Sequence, residues 1–225
     1  MANLGPKLME ELQCENVFSI GGIGISESVV VTWIIMAVFL LAAILLTRNL
    51  KVENPGRGQL MLEYIVTWLQ GIGEGIIGEE EKGYASYLTS ILIYLGVANL
   101  IGMLGFKPPT KDLNVTAALA LMSIILIEYA GIHKKGFRGW LKSFTQPIAI
   151  VTPINILEVF VKPLSLCMRL FGNVLGAFVI MELIKIVVPV FLPAVFSLYF
   201  DLFDGLLQAY VFVFLTSMYI AEAIE

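Results

Sequence analysis

From Val29 to Thr47 the chain carries no charged residue, and the run is closed by Arg48, Asn49 and Lys51. At about 1.5 Å per residue such a stretch covers the roughly 30 Å hydrocarbon core of a bilayer, so it reads as a spanning helix. A second uncharged run extends from Tyr84 to Phe106, and a third apolar run from about Leu113 to Ile132; the breaker-rich "KPPTKDLN" at 107–114 separates them. These two are expected to form an antiparallel pair with a tight turn. Composition agrees: 58% hydrophobic and 14% charged residues, with a mean hydropathy of +0.88, lie far outside the range of a soluble domain. The expected fold class is all-α and polytopic, one membrane domain over 29–225 preceded by a leader at 1–28.

Several function classes drop out early. The leader holds Glu10, Glu11 and Glu15 where a cleaved signal peptide needs a basic stretch and then an apolar one, so the first span is expected to persist in the mature protein. Cys14 and Cys167 are isolated, with no CxxC and no nearby His, which indicates neither a disulfide nor a metal site. Net charge is only −4 and the basic residues are scattered through short loops, which gives no surface for nucleic acid. No GxxxxGK[ST] occurs, so no nucleotide site is expected. "GEGIIG" at 73–78 fits GxGxxG, but no βαβ unit surrounds it and the acidic "EEEK" follows, which makes it a chance match on a membrane-surface loop. His133, beside Lys134 and Lys135, reads as a solvated loop histidine.

Between the first two spans, "NPGRGQLMLEYIVTWLQ" (54–70) puts Leu60, Tyr64, Thr67 and Trp68 at helical spacing with Glu63 and Gln70 offset, the pattern of an interfacial amphipathic helix. Arg48, Lys51, Arg57 and Lys82 then fall on the same side as Lys134, Lys135, Arg138 and Lys142, with only Lys7, Lys107 and Lys111 opposite. The positive-inside rule puts the N-terminus outside and the loops 48–83 and 133–146 in the cytoplasm.

The last third keeps its apolar character while Glu158, Lys162, Arg169, Glu182, Lys185, Asp201 and Asp204 interrupt it, and its one break is signalled at Pro189 and Pro193. A single helix from Pro153 to Val188 is roughly 54 Å long, too long to stand upright in a 30 Å core. Two long tilted helices, about 150–188 and 194–222, are expected to form a hairpin.

Buried charge costs from about 2.5 kcal/mol on insertion scales to 10 or more in simulations, so each of these residues needs a partner or an aqueous path. Glu158 and Lys162 are spaced i,i+4, and Glu182 and Lys185 i,i+3, so both pairs can neutralise themselves. Arg169 differs: its i±3 and i±4 neighbours are Ser165, Leu166, Gly172 and Asn173. Its countercharge has to come from another element or another chain; the competing reading, in which it snorkels to the interface, is weaker because Arg169 lies well inside its helix. Ser165, Gly172 and Gly176 make that face small and approachable. On the next helix Asp201 and Gln208 are seven apart and share a face, with Asp204 about 60° away. Such a stripe beside Arg169 and Asn173 would make a polar half-channel, in which an arginine that does not deprotonate is a fixed positive barrier.

At these residues "KPLSLCMRLFGN" (162–173) resembles the signature of subunit a of the F-type ATP synthase membrane sector. The resemblance continues in "ANLIGMLGFKPPTKDLNVTAALAL" (98–121), "TPINILE" (152–158) and "LLQAYVFVFLTSMYIAEAIE" (206–225), in order. It implies a non-catalytic, all-helical stator subunit of the bacterial plasma membrane, C-terminus cytoplasmic, beside a rotating ring of c subunits and the peripheral-stalk b subunits. A ring carboxylate would pass the arginine that Arg169 resembles, Asn173 and Gln208 would line the path of H⁺ or Na⁺, and no cofactor is implied. Some members carry an acid nine positions after the arginine and a histidine seven before the glutamine; here those positions are Phe178 and Asp201. Asp201 is then the candidate inlet carboxylate, with Asp204 or Glu182 as helper. A secondary transporter or channel subunit with a gating arginine is the alternative; it calls for repeated halves and broken helices, and neither is evident.

Overall fold

In lipid every backbone N–H and C=O has to find its partner inside the protein, and a helix does so within one segment. The computed structural model describes residues 16–20, 23–48, 50–51, 55–77, 82–104, 108–145, 149–187 and 191–224. Within them run α1 (Glu27–Thr47), α2 (Arg57–Ile77), α3 (Lys82–Leu100), α4 (Leu113–Ser143), α5 (Thr152–Val187), α6 (Phe191–Ser197) and α7 (Gly205–Ile224). Short 3₁₀ turns lie at Ile101–Leu104, Pro109–Lys111 and Ala149–Val151, and a wide π-helical turn occupies Leu198–Asp204. Among the described residues five stretches are long and apolar enough to cross a membrane: Glu27–Thr47, Gly83–Met103, Leu113–Ser143, Thr152–Lys185 and Val195–Ile224. The chain is an all-α polytopic membrane protein.

The bundle is organised around α7, which packs on α3, α4 and α2, while α4 also packs on α5. Its buried stripe of Gln208, Ala209, Phe212, Val213, Thr216, Ser217 and Ile220 repeats at three- and four-residue spacing, one face of a helix. Facing it are Leu88, Ile91 and Leu95 of α3, Ala120, Ile124 and Ile127 of α4, and Leu166 and Leu170 of α5. Lipid tails are as apolar as leucine, so close approach rather than the hydrophobic effect holds such helices; the small residues Ala120, Ala130, Thr216 and Ser217 on the contact faces allow it. α1 joins through a smaller cluster of Val31, Ile35 and Ala98, and the Thr32 hydroxyl lies 3.1 Å from that of Tyr94. Its other face, with Ile34, Leu41 and Leu45, is exposed.

One buried carboxylate ties the turn before α4 to the start of α1. Asp112 accepts the Asn114 N–H at 2.9 Å as the cap of α4, and its other oxygen accepts the Ser26 hydroxyl at 2.9 Å. Beside it Lys111 is buried with its ammonium 3.5 Å from the centre of the Phe178 ring on α5.

Four local features depart from the sequence expectations. Asn16–Ile20 and Ile23–Ser26 pair as an antiparallel hairpin within the stretch read as a leader, while residues 1–15 lie outside those described. Secondly, the segment read as a loop at 133–146 stays helical as far as Ser143, with one break at Gly136, φ 71° and ψ 159°. That break lets the chain fold back, and the Trp140 indole N–H donates to Glu128 at 2.7 Å. His133 is exposed as expected, but on this helix, where it stacks on Tyr129. Thirdly, α2 continues to Ile77, so residues 73–77 of the GxGxxG match are helical and not a loop. Lastly, the final long helix is not uniform, because the π turn separates α6 from α7.

The amphipathic pattern behaves as its periodicity requires: Leu60, Tyr64 and Trp68 of α2 form an exposed apolar stripe, while Gln59 binds Glu63 and the Lys51 backbone. α5 has 36 residues, which at 1.5 Å each exceeds the hydrocarbon thickness by about 24 Å.

The conformation of Gly136 is one that essentially only glycine adopts. Gly136→Ala is therefore expected to cost about 1–3 kcal/mol, whereas Gly71→Ala, in α2 with nothing within 4 Å of the new methyl, should be neutral or stabilising. Thermal unfolding of the detergent-solubilised complex, followed by tryptophan fluorescence, compares them; equal melting would contradict the assigned strain.

Candidate functional site

Helical geometry puts Ser165, Arg169, Gly172 and Gly176 of α5 on one face, at spacings of four, three and four. Among the described residues Arg169 makes no hydrogen bond and no ion pair. Nothing lies within 4 Å of where a Cβ would stand on Gly172 or Gly176, and Leu164 and Met168 beside them are exposed. Among the described residues this face thus carries a guanidinium without a partner on a track of small residues.

One turn further on, Asn173 reaches α7. Its Nδ2 donates to Gln208 Oε1 at 2.6 Å. Gln208 is 2% exposed, and its Nε2 has no partner among the described residues. An orphaned buried donor is expensive unless something polar meets it, and the space in front of it is a cavity of about 300 Å³.

That cavity runs between α5, α7, the π turn and the end of α3, and among its walls are Asn99, Gly102, Glu182, Asp201, Asp204 and Gln208. Asp201 and Asp204 both stand on the π turn, a rare conformation that concentrates at functional sites. The Ser197 hydroxyl donates to Asp201 at 2.6 Å. Gly102 leaves room for the carboxylate: a Cβ there would stand 3.2 Å from Asp201 Oδ1. Glu182 also lines the cavity while paired with Lys185, as the i,i+3 spacing predicts.

A second cavity, about 310 Å³, opens at the other end of α5, between α4, α5 and α7, and is lined by Glu128, Asn155, Glu158, Lys162 and Glu222 among others. Lys162 pairs with Glu158 at 3.6 Å, as its spacing predicts. It also reaches across to Glu222 of α7 at 3.1 Å, so the lysine clips two helices as well as neutralising its neighbour.

The fold thus gathers Asp201, Asp204, Gln208 and Glu182 around one space, with Asn173 bonded to Gln208. Arg169 is not on that wall; it stands one helical turn towards the second cavity. Sequence reasoning did not single out Asn99, Gly102, Ser197 or Thr110. Asn99 carries a usable signal, a side-chain amide inside an uncharged span. The others are too common in membrane helices to stand out. Carboxylates can exchange protons and side-chain amides can bridge water, so such a lining is able to pass an ion; a guanidinium set apart from it keeps its charge.

Removing one partner of a hydrogen bond so that a buried group is left unsatisfied costs more than removing both. Asn173→Leu, leaving both ends of the Gln208 amide without a protein partner, is expected to destabilise the detergent-solubilised complex by about 1–3 kcal/mol, and adding Gln208→Leu should recover most of it. Strictly additive losses in a thermal double-mutant cycle would contradict this.

Comparison with known proteins matches residues 29–221 to the family described as ATP synthase A chain. The chain is 38% identical over 218 residues to ATP synthase subunit a of Moorella thermoacetica, covering 96% of this chain and 99% of that one. It is 37% identical over 209 residues to ATP synthase subunit a 2 of a Bradyrhizobium species, covering 92% and 93%. With ATP synthase subunit a 1 of Prosthecochloris aestuarii it shares 36% identity over 210 residues, again 92% and 93%. Five membrane-length helices among the described residues and a match over nearly the whole chain agree, and the chain belongs to the ATP synthase A chain family.

Proposed function

We propose that this chain is the ion-translocating stator subunit of an F-type ATP synthase, and that Arg169 is the residue forcing ions to travel by way of the rotor. The observation that carries the reading is the guanidinium without a partner among the described residues, on a face of small and exposed residues. A charge held in the hydrocarbon region has to be matched, and a carboxylate on a passing ring of c subunits would match it transiently.

The steps follow from charge. An ion enters the cavity at Asp201 and Asp204, with Glu182 at its rim, and is handed past the Gln208 and Asn173 amides to a ring carboxylate. Neutralised, that carboxylate tolerates lipid and turns with the ring. On its return it releases the ion towards the second cavity. Arg169 attracts the deprotonated carboxylate and repels a free cation, which closes the direct route between the two spaces. A potential of 100 mV is worth about 2.3 kcal/mol per charge, so leakage past the arginine is lost torque.

Ser165, Gly172 and Gly176 form the track on which the ring rides, and the exposed stripe of α2 meets lipid headgroups or the peripheral-stalk b subunits. The excess of Lys and Arg at 48–82 and 134–142 supports a cytoplasmic location for those segments, an external N-terminus and a cytoplasmic C-terminus in a bacterial plasma membrane. The chain itself performs no chemistry on nucleotide. The coupling ion is H⁺ or Na⁺.

Arg169→Ala is expected to abolish ion-driven ATP synthesis in sealed vesicles while hydrolysis by the detached catalytic head continues; wild-type coupling would refute the role. Asp201→Asn is expected to slow passive flux through the head-stripped membrane sector. Flux is read under an imposed potential by an entrapped pH dye and, in parallel, by uptake of radioactive sodium. Unchanged flux of both ions would remove Asp201 from the path.

A further inference from the structure

The two aspartates of the cavity stand on the π turn Leu198–Asp204, and that turn ends at Gly205. The Gly205 N–H donates to the Phe200 carbonyl, five residues back, and is shared with the Leu202 carbonyl. A helix relaxing to the ordinary four-residue pattern would absorb the extra residue of the wide turn, and one residue is about 100° of rotation. Such a rotation would carry everything upstream of Gly205 round the axis relative to α7. Asp201 and Asp204 would leave the wall they share with Gln208.

Something outside the helix has to hold the wide turn, because π-helical spacing is rare by itself. Among the described residues one lateral contact falls on its terminal peptide. Asn99 of α3 donates Nδ2 to the Gly205 carbonyl at 2.9 Å, and the Thr110 hydroxyl donates to Asn99 Oδ1 at 2.8 Å. Asn99 is 5% exposed and Thr110 0%, so neither bond competes with bulk water and both are strengthened by their surroundings. Contact is close enough to need glycine: a Cβ at position 205 would stand 3.0 Å from Asn99 Cβ. Gly102, one turn after Asn99, is the residue that leaves room for Asp201. The end of α3 therefore both grips the junction and accommodates the carboxylate.

We propose that Asn99, oriented by Thr110, is a positioning residue that holds the π turn and so aims Asp201 and Asp204 into the cavity. The inference rests on the reading of that cavity as the ion inlet. Thr110 acts only through its hydroxyl on Asn99, and it is not on the cavity wall.

The test is passive flux through the assembled, head-stripped membrane sector in vesicles under an imposed potential, read by the same pH dye and radioactive sodium, with Asp201→Asn run alongside. Thr110→Val removes the hydroxyl at nearly constant shape; loss of one buried hydrogen bond is expected to slow flux about threefold to tenfold. Thr110→Ser restores the hydroxyl and is expected to return flux to within about twofold of wild type. If Thr110→Val does not assemble, Gly205→Ala, which keeps hydroxyl and amide but forces Asn99 away, is expected to slow flux by a similar factor. Wild-type flux in Thr110→Val, or in Gly205→Ala where that variant stands in, together with a slowed Asp201→Asn overturns the positioning role and leaves the inlet intact. Equal slowing in Thr110→Val and Thr110→Ser overturns it too, since bulk and not the hydrogen bond would then matter. Wild-type flux in Asp201→Asn overturns both, because the brace would have nothing to aim.

Discussion

A guanidinium held at membrane depth has few tolerable surroundings: a carboxylate, a ring of hydrogen-bond acceptors, or water. Arg169 has none of the first two among the described residues, and its neighbours on the same face are Ser165, Gly172 and Gly176. Much of the architecture makes sense as a way of keeping it so. Acids on the same helix and on α7 are engaged with lysines: Glu158 and Glu222 with Lys162, and Glu182 with Lys185. Asp201 is held by Ser197.

The two cavities lie towards opposite ends of α5, and their linings differ in kind. One is shaped by backbone irregularity, the π turn and two glycines, Gly102 and Gly205, that allow close approach. The other is shaped by ion pairs and by the break at Gly136, which returns Trp140 to Glu128. Irregular backbone at membrane depth is tolerated where it is buried in protein or lines a cavity, and three residues of the π turn, Phe200, Asp201 and Asp204, line the first cavity. Along α5 Arg169 lies between the residues that line the two spaces, one turn from Asn173, whose amide bonds Gln208 on the wall of the first.

α7 explains why these parts hold together. Its buried face touches α3, α4 and α2, and the residues that matter to the cavity, Gly205 and Gln208, continue the same stripe as Phe212 and Thr216. Packing and the cavity wall share one helical face. The hydroxyls and amides on that face give directionality where apolar contact alone has little preference in lipid.

How much of this could be read from residues alone depends on the range of the interaction. Spans, the amphipathic stripe of α2, the i,i+4 and i,i+3 ion pairs and the lack of a local mate for Arg169 are all set within one or two helical turns. Hydrophobic length and helical spacing therefore determined them. So did the family resemblance around "KPLSLCMRLFGN", a contiguous string. The rest required distant segments to meet. The pairing of Lys162 with Glu222, sixty residues away, has no sequence period, nor has the contact of Asn99 with Gly205, separated by 106. The π turn is a local feature that sequence spacing nevertheless hid, because "LYFDLFD" is compatible with an ordinary helix. Sequence by itself thus settled which segments enter the membrane and which charges go unmatched locally, because lipid penalises those immediately. Tertiary structure alone decided where the polar side chains converge, because that depends on which helices lie side by side.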